Sequence, residues 1–174
     1  MRIIGGQYRR RLLDFPDGAG LRPTPDRVRE TLFNWLGQDL PGWSCLDLFA
    51  GSGALGFEAA SRGAARVLMI EREREALAAL EKNRTLLGAS RIEVLRADAM
   101  AWLASSREPF DLVFVDPPYD SGLAAPVLEH LSALLKSGAY VYVEQGAAVV
   151  APPGFVVHRS GQAGRSHFAL LTKE

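Results

Sequence analysis

Four consecutive residues, Asp116-Pro117-Pro118-Tyr119, carry the strongest chemical signal in this 174-residue chain. They follow an apolar run, FDLVFV, that reads as a buried strand, so a carboxylate, a stiff turn and an aromatic ring stand together at a strand end. Consecutive prolines fix φ and remove backbone donors, which leaves the loop carbonyls as outward acceptors. An exocyclic nucleobase amine has two N–H donors and a lone pair delocalised into the ring. Asp116 and the Pro117 carbonyl can accept those two donors and turn the lone pair toward an electrophile. Tyr119 can stack on the base, a contact worth about 1–3 kcal/mol. The same motif, placed after a fourth parallel strand, suits amino methylation of a base or, less often, of a glutamine side chain. Its plain alternative is a turn after a core strand.

A second cluster precedes it. Gly51-Ser52-Gly53-Ala54-Leu55-Gly56 follows the run CLDLF and opens a helix. The glycines permit a tight turn and close backbone approach to a ligand. The spacing matches the G-x-G-x-x-G dinucleotide pattern, and Glu71, at the end of the next strand, stands where an acidic residue grips ribose hydroxyls. That pattern alone does not separate nicotinamide from S-adenosylmethionine cofactors. Asp47 tilts the choice, because a carboxylate before the loop suits the amine of S-adenosylmethionine and repels a pyrophosphate. Asp98, ending the third strand, can accept from an adenine amino group. A solvated strand end or a helix N-cap is the plain alternative for both.

These groups need a scaffold that places strand ends side by side. Apolar runs alternate with amphipathic helices from Ser44 onward, which predicts right-handed crossovers and a parallel sheet covered on both faces. The strands are CLDLF, RVLMIE, RIEVLRAD, FDLVFVD and AYVYVEQ, and then about GFVVHRS and SHFALLT around a turn at Gly161 and Gly164. The last two have no helix between them and should pair antiparallel. The fold class expected is α/β, a Rossmann-like class I methyltransferase fold with a seven-stranded, mostly parallel sheet and a C-terminal antiparallel hairpin. Ligands in such sheets bind at the strand carboxyl ends. Before the first strand, Thr24 reads as the N-cap and Pro25 as the first residue of a helix ended by Gly37 and Pro41. A later helix is expected from about Leu123 to Lys136, capped by Gly138.

Length predicts a single domain spanning 1–174, with a basic arm at 1–22. The 20 basic and 20 acidic residues balance, so net charge does not advertise a nucleic-acid binder. Their distribution is less even: Arg2, Arg9, Arg10, Arg11, Arg22, Arg27 and Arg29 crowd the start, and Arg suits bidentate phosphate contact. A solvated basic face explains them equally well. Cys45 stands alone, and His130, His158 and His167 lack metal-ligand spacing, so neither a disulfide nor a metal site is expected. No apolar stretch is long enough for a membrane span or a secretory signal, and a cytoplasmic location is the default expectation.

The blocks RPTPDRVRETLFNWL, DLFAGSGALGFEAASRGA and FVDPPY together resemble the bacterial 16S ribosomal RNA guanine-N2 methyltransferases of the RsmD type. The first block is the most family-specific, and the resemblance runs over nearly the whole chain. It implies S-adenosylmethionine as cofactor, S-adenosylhomocysteine as product, and a guanine of 16S rRNA, in the small subunit or an assembly intermediate, as substrate. It implies that Asp116, Pro117, Pro118 and Tyr119 form the catalytic loop. Asp47, Phe49, Ala50, Gly51, Gly53, Glu71, Arg72, Asp98 and Ala99 would line the cofactor site. Arg22, Pro23 and Thr24 would close over the methionine end, and Arg9, Arg10 and Arg11 would touch rRNA phosphates. Similar proteins often carry Gly where this chain has Arg10. Two other readings stay open. One is DNA adenine-N6 methylation, against which the lack of a target-recognition domain counts. The other is a non-catalytic RNA-binding protein with a methyltransferase fold. A monomer is the default expectation.

Overall fold

A computed structural model describes residues 1–17 and 22–174; positions 18–21 of the expected arm lie outside the described residues. Helix α1 (Asp26–Trp35) precedes a regular alternation: β1 (Ser44–Asp47), α2 (Ala54–Ser61), β2 (Arg66–Glu71), α3 (Arg74–Leu87), β3 (Ile92–Arg96), α4 (Ala99–Ser105), β4 (Phe110–Val115) and α5 (Ala124–His130). Strands β5 (Leu135–Gln145), β6 (Phe155–Ala163) and β7 (Ser166–Lys173) follow without an α-helix between them. The sheet order is β3-β2-β1-β4-β5-β7-β6. Strands β1 to β5 run parallel, and β7 inserts antiparallel between β5 and β6. This is the expected layout. The order reverses between β1 and β4, so their carboxyl ends flank the crevice where such sheets bind ligands.

Apolar residues alternate across the sheet and feed two cores. One lies under α1, α2 and α3 and gathers Leu32, Phe33, Phe57, Leu80, Met69 and Phe114. The other lies under α4 and α5 and gathers Leu46, Ile70, Leu103, Val113, Val127 and Leu128. Each central strand sends successive side chains to opposite faces, which is why β2 and β4 read as unbroken apolar runs. Cys45 is a buried free thiol.

Four local expectations are corrected. Thr24 does not cap α1: Pro25 holds the N-cap position with an extended ψ of 150°, so helical geometry starts one residue later. The helix ends as expected near Gly37, whose φ of 92° lets Gln38 N–H reach the Phe33 carbonyl at 2.7 Å. The helix expected to Lys136 stops at His130, and Ser132–Leu134 tighten into a 3₁₀ turn. Leu131, Leu134 and Leu135 stay buried, so the apolar pattern continues while the backbone has already left the helix. Gly138 is not a cap. Its positive φ lies inside β5, where the five-residue step Leu135 to Tyr140 lies opposite the two-residue step Phe110 to Leu112 of β4. Gly161 likewise belongs to β6 rather than to the turn; the Phe168 ring lies over it, 2.7 Å from where a Cβ would stand.

The basic N-terminal segment is not a loose arm. It folds back on itself through one antiparallel bridge, Arg2 to Leu12, and buries Ile3 and Leu13. Arg10 takes φ 71°, a conformation natural for Gly. The segment is fastened by Glu58, a fully buried carboxylate of α2. Glu58 accepts from Ile4 N–H at 3.0 Å, Gly5 N–H at 2.9 Å, Arg62 Nε at 3.0 Å and Arg29 at 3.3 Å. Arg29, 1% exposed, also donates to the carbonyls of Thr24 and Arg2 and to Asp26. Arg29 therefore leaves the set of surface cations that the sequence suggested. Glu58→Ala removes one carboxylate partner of Arg29, takes that of Arg62 and leaves the Ile4 and Gly5 N–H groups unpaired, and should cost about 3–5 kcal/mol. Urea unfolding checks the loss, and limited proteolysis should cut the first 17 residues earlier than in wild type.

Candidate active site

Five parallel strands end in five carboxylates at one edge of the sheet. Asp47 ends β1, Glu71 ends β2, Asp98 follows β3, Asp116 follows β4 and Glu144 lies near the end of β5. Four of these were candidates from sequence; Glu144 was not. Its signal was available, since AYVYVEQ ends in an acidic residue as the other four strands do.

The glycine loop turns tightly between β1 and α2. Gly53 N–H bonds the Ala50 carbonyl at 2.7 Å, and Ala50 N–H bonds the Ile70 carbonyl at 3.0 Å. Gly51 and Gly53 take positive φ, 55° and 84°, and a Cβ on Gly53 would stand 2.5 Å from the Phe57 ring. Only glycine fits there. Glu71 fastens this loop directly: one carboxylate oxygen accepts from Gly51 N–H at 2.9 Å and the other from Glu73 N–H at 2.9 Å. Asp47 is 2% exposed and accepts from Gly56 N–H at 3.1 Å. Burial, reinforced by the negative charge of Glu71, pushes its carboxyl up to about 7, although the Gly56 bond pulls the other way.

Asp98 caps α4 by accepting from Ala101 N–H at 3.0 Å, and its other oxygen lies 3.9 Å from Arg72. Both are exposed, at the rim of the loop side. Ala50 and Ala99 are buried, and Phe49 packs partly buried against the second core. Arg22 is exposed before α1, whereas Thr24 is buried beside the catalytic-loop candidates.

Asp116 is the centre of a polar chain. Thr24 lies on one side of it and Glu144 on the other, both near enough to act on its charge. Tyr142 Oη in turn donates to Glu144 at 2.7 Å. Burial and the charges of Glu144 and Asp47 hold the Asp116 carboxyl well above the usual range, with Thr24 opposing. Among the described residues, Asp47, Asp116 and Glu144 form no ion pair with Arg or Lys. Asp120 and Gly122 adopt positive φ, so the loop doubles back after Tyr119. Tyr119 is 65% exposed and leans on Gly146, where a Cβ would meet its ring at 3.1 Å. A sheet edge with one buried and two partly buried carboxylates, bordered by a free aromatic face, suits a cation and a planar, amine-bearing partner.

Arg9, Arg10 and Arg11 are exposed but are not gathered at this edge. The arm's turn bonds Ser61, at the end of α2, and Arg11 bonds the Leu86 carbonyl at 3.3 Å, near the end of α3. Both helices run down from the strand carboxyl ends, so the three arginines sit roughly the 12 Å length of α2 below the site. Nearer the site is Arg165, in the β6–β7 turn beside His167, which pairs with Gln145 at the end of β5. A cleft of about 300 Å³ opens there between Ser160, Gln162, His167 and Phe168.

Residues 1–172 match the protein family described as Conserved hypothetical protein 95. The chain is 44% identical to Ribosomal RNA small subunit methyltransferase D of Escherichia coli strain K12, over all of this chain and 90% of that one. The solved structure of the Escherichia coli methyltransferase yhhF superposes with a TM-score of 0.91 at 44% identity, covering 100% of this chain and 98% of the other. Methylase HI0767 of Haemophilus influenzae gives 0.84 at 35% identity, over 99% and 97%.

The raised Asp47 carboxyl makes a stability prediction. An unfolded aspartate titrates near 3.8 and the folded one near 7, so the fold is favoured below the lower value. That advantage shrinks as pH rises between the two, by roughly 4 kcal/mol in all, and is gone above about 7. Asp47→Asn keeps an acceptor for Gly56 without the charge. Thermal melts should show it more stable than wild type at pH 8, with the gap narrowing as pH falls toward 4.

Proposed function

This chain belongs to the ribosomal RNA small subunit methyltransferase D family, and we propose that it transfers a methyl group from S-adenosylmethionine to the exocyclic N2 amine of a guanine in 16S rRNA. The observation that carries this reading is the cation-free carboxylate cluster beside the exposed Tyr119 ring.

The donor set fits the cofactor. Asp47 offers a buried carboxylate to an ammonium, Glu71 and the Gly51–Gly53 turn form a ribose-sized ledge, and Asp98 and Arg72 stand at the adenine end. Ala50, Phe49 and Ala99 supply apolar walls. The bound cofactor supplies an activated methyl on a sulfonium, so the protein's main task is positioning. Asp116 and the Pro117 carbonyl accept the two amine N–H groups and aim the nitrogen lone pair. Pro117 and Pro118 keep that carbonyl from swinging away. Tyr119 stacks on the base. As the nitrogen gains its fourth bond it becomes cationic, and the negative cluster stabilises that charge where it develops. Thr24, beside Asp116, brings the segment before α1 against the catalytic loop, and Arg22 and Thr24 would close over the methionine end.

The RNA side is broader than the pocket. Arg9, Arg10 and Arg11 meet phosphates of a folded rRNA that reaches down the α2–α3 face, while Arg165 meets the strand near the target base. The target is an unpaired base, since extruding a paired one costs a few kcal/mol. The protein acts as a cytoplasmic monomer on the small subunit or its assembly intermediate.

Unmethylated small subunits incubated with labelled S-adenosylmethionine should gain label at one guanine of 16S rRNA, located by nuclease mapping. Label confined to adenine, or to duplex DNA, would sink the proposal. Asp116→Ala should reduce turnover by about 10²-fold or more while binding of S-adenosylhomocysteine, followed by calorimetry, stays within a few-fold. Arg10→Glu should weaken rRNA binding more at low than at high salt, because phosphate contacts are screened. A salt-independent loss would point to the arm's fold instead.

A further inference from the structure

Glu144 is the one strand-end carboxylate to which the reading above gives no work. It stands next to the catalytic loop by register: Val115 pairs with Val143 across β4 and β5, so Asp116 and Glu144 are the next residues on adjacent parallel strands. Tyr142, wholly buried, donates its hydroxyl to Glu144 and fixes the carboxylate from below. The register puts Asp116 beside the same carboxylate, whose charge holds the Asp116 carboxyl up.

Resting on the proposed methyl transfer, we propose that Glu144 is a positioning residue that acts through Asp116: the two carboxyls share a proton and receive the amine's proton as a pair. The shared proton is needed because two adjacent carboxylates cannot both ionise cheaply in a site without a cation. The groups facing the pair are Asp47 from β1, Thr24 from before α1, Tyr142 from β5 itself, and Phe168 of β7, which is opposite Glu144 in register, with His167 one position on. Two of these, Asp47 and Tyr142, are titratable neighbours that make negative charge costlier when ionised, and none of the named neighbours except His167 can bear a positive charge.

The proton inventory closes. The amine nitrogen's lone pair forms the N–C bond, and the C–S bond breaks with its electron pair going to sulfur, which becomes a neutral thioether. The methylated nitrogen carries the positive charge and an extra proton. The Asp116–Glu144 pair enters with one proton and one negative charge, takes the extra proton and leaves neutral, then returns one proton to water. Glu144 also decides which way Asp116 faces. Its acceptor oxygen holds the Asp116 hydroxyl away from the base, so the other Asp116 oxygen remains free to accept the amine.

Glu144→Gln retains an acceptor for Tyr142 and removes the charge. Wild type and variant are compared in two measurements. In ¹³C NMR of the carboxyl carbons, without cofactor, the Asp116 midpoint should fall by about one pH unit or more in the variant. In rRNA methyl transfer, kcat should fall about tenfold or more, its pH profile should change shape on the acid side, and KM for the methyl donor should stay within about twofold. Glu144→Asp, which restores the charge one methylene shorter, should recover part of the lost kcat. An unmoved Asp116 midpoint, or an unmoved pH profile with only the melting temperature lowered, overturns the inference. A wild type that titrates as described yet methylates no rRNA overturns the underlying function instead, and with it the role of the pair in that step.

Discussion

Negative charge collected at the carboxyl ends of a parallel sheet is the constraint on which the rest of this molecule depends. Buried carboxylates are normally paired, because removing charge from water is expensive. Here the Arg residues that do enter the interior go elsewhere. Arg29 and Arg62 are spent on Glu58, and among the described residues the buried Asp47 and the partly buried Asp116 and Glu144 have no cation partner. The fold tolerates this through a backbone N–H group on Asp47 and a tyrosine on Glu144, while burial raises the Asp47 and Asp116 carboxyls. A protein selected for stability alone would not arrange its polar interior this way. A site that must attract a sulfonium and stabilise a cationic amine would, and the strain between local stability and activity is then expected at this edge.

The two buried acidic systems do different work for a physical reason. Glu58 is saturated: two backbone N–H groups and two guanidinium groups use its oxygens, so nothing remains for a ligand. It converts a basic N-terminal segment into a packed layer and thereby fixes the residues just before α1. Thr24 belongs to that stretch; its carbonyl accepts from Arg29 at 3.0 Å while its side chain meets Asp116. Arm, α2 and catalytic loop are therefore joined through Arg29 and Thr24, and loosening the arm should be felt at Asp116.

Much of this was legible in the sequence, and what was not has identifiable causes. Strands β1 to β4 and the glycine loop are unambiguous because parallel, doubly covered strands read as apolar runs ended by acidic residues. Asp47, Glu71, Asp98 and Asp116 fall at strand ends by counting. The end of α5 was not legible: Leu131, Leu134 and Leu135 continue a helical spacing although they pack from a 3₁₀ turn and a strand, and periodicity reports burial rather than backbone. Thr24 read as a cap because capping residues and buried hydrogen-bonding residues are the same amino acids. Arg29 read as surface charge because the two partners that draw it into the interior, the Arg2 carbonyl and Glu58, lie 27 and 29 residues away. Glu144 was passed over because no short motif surrounds it; only the β4–β5 register brings it to Asp116.

Chemistry and target choice are supported at different ranges in this fold. The groups that would handle the methyl and the amine all lie on strand ends or on the loops directly after them, where the sheet holds them within a few tenths of an ångström, as methyl transfer requires. Groups that would meet rRNA are spread over the arm, the β6–β7 turn and the cleft beside His167, on elements that pack at the periphery. Phosphate contacts tolerate such spread, since they sum over distance and carry little sequence information. On the proposed reading, selection of one guanine would come from the shape of the RNA that can lie across both surfaces while presenting an unstacked base to Tyr119. The carboxylate edge sets what reaction can occur, and the distance from that edge to Arg9–Arg11 sets how large a folded RNA must be to undergo it.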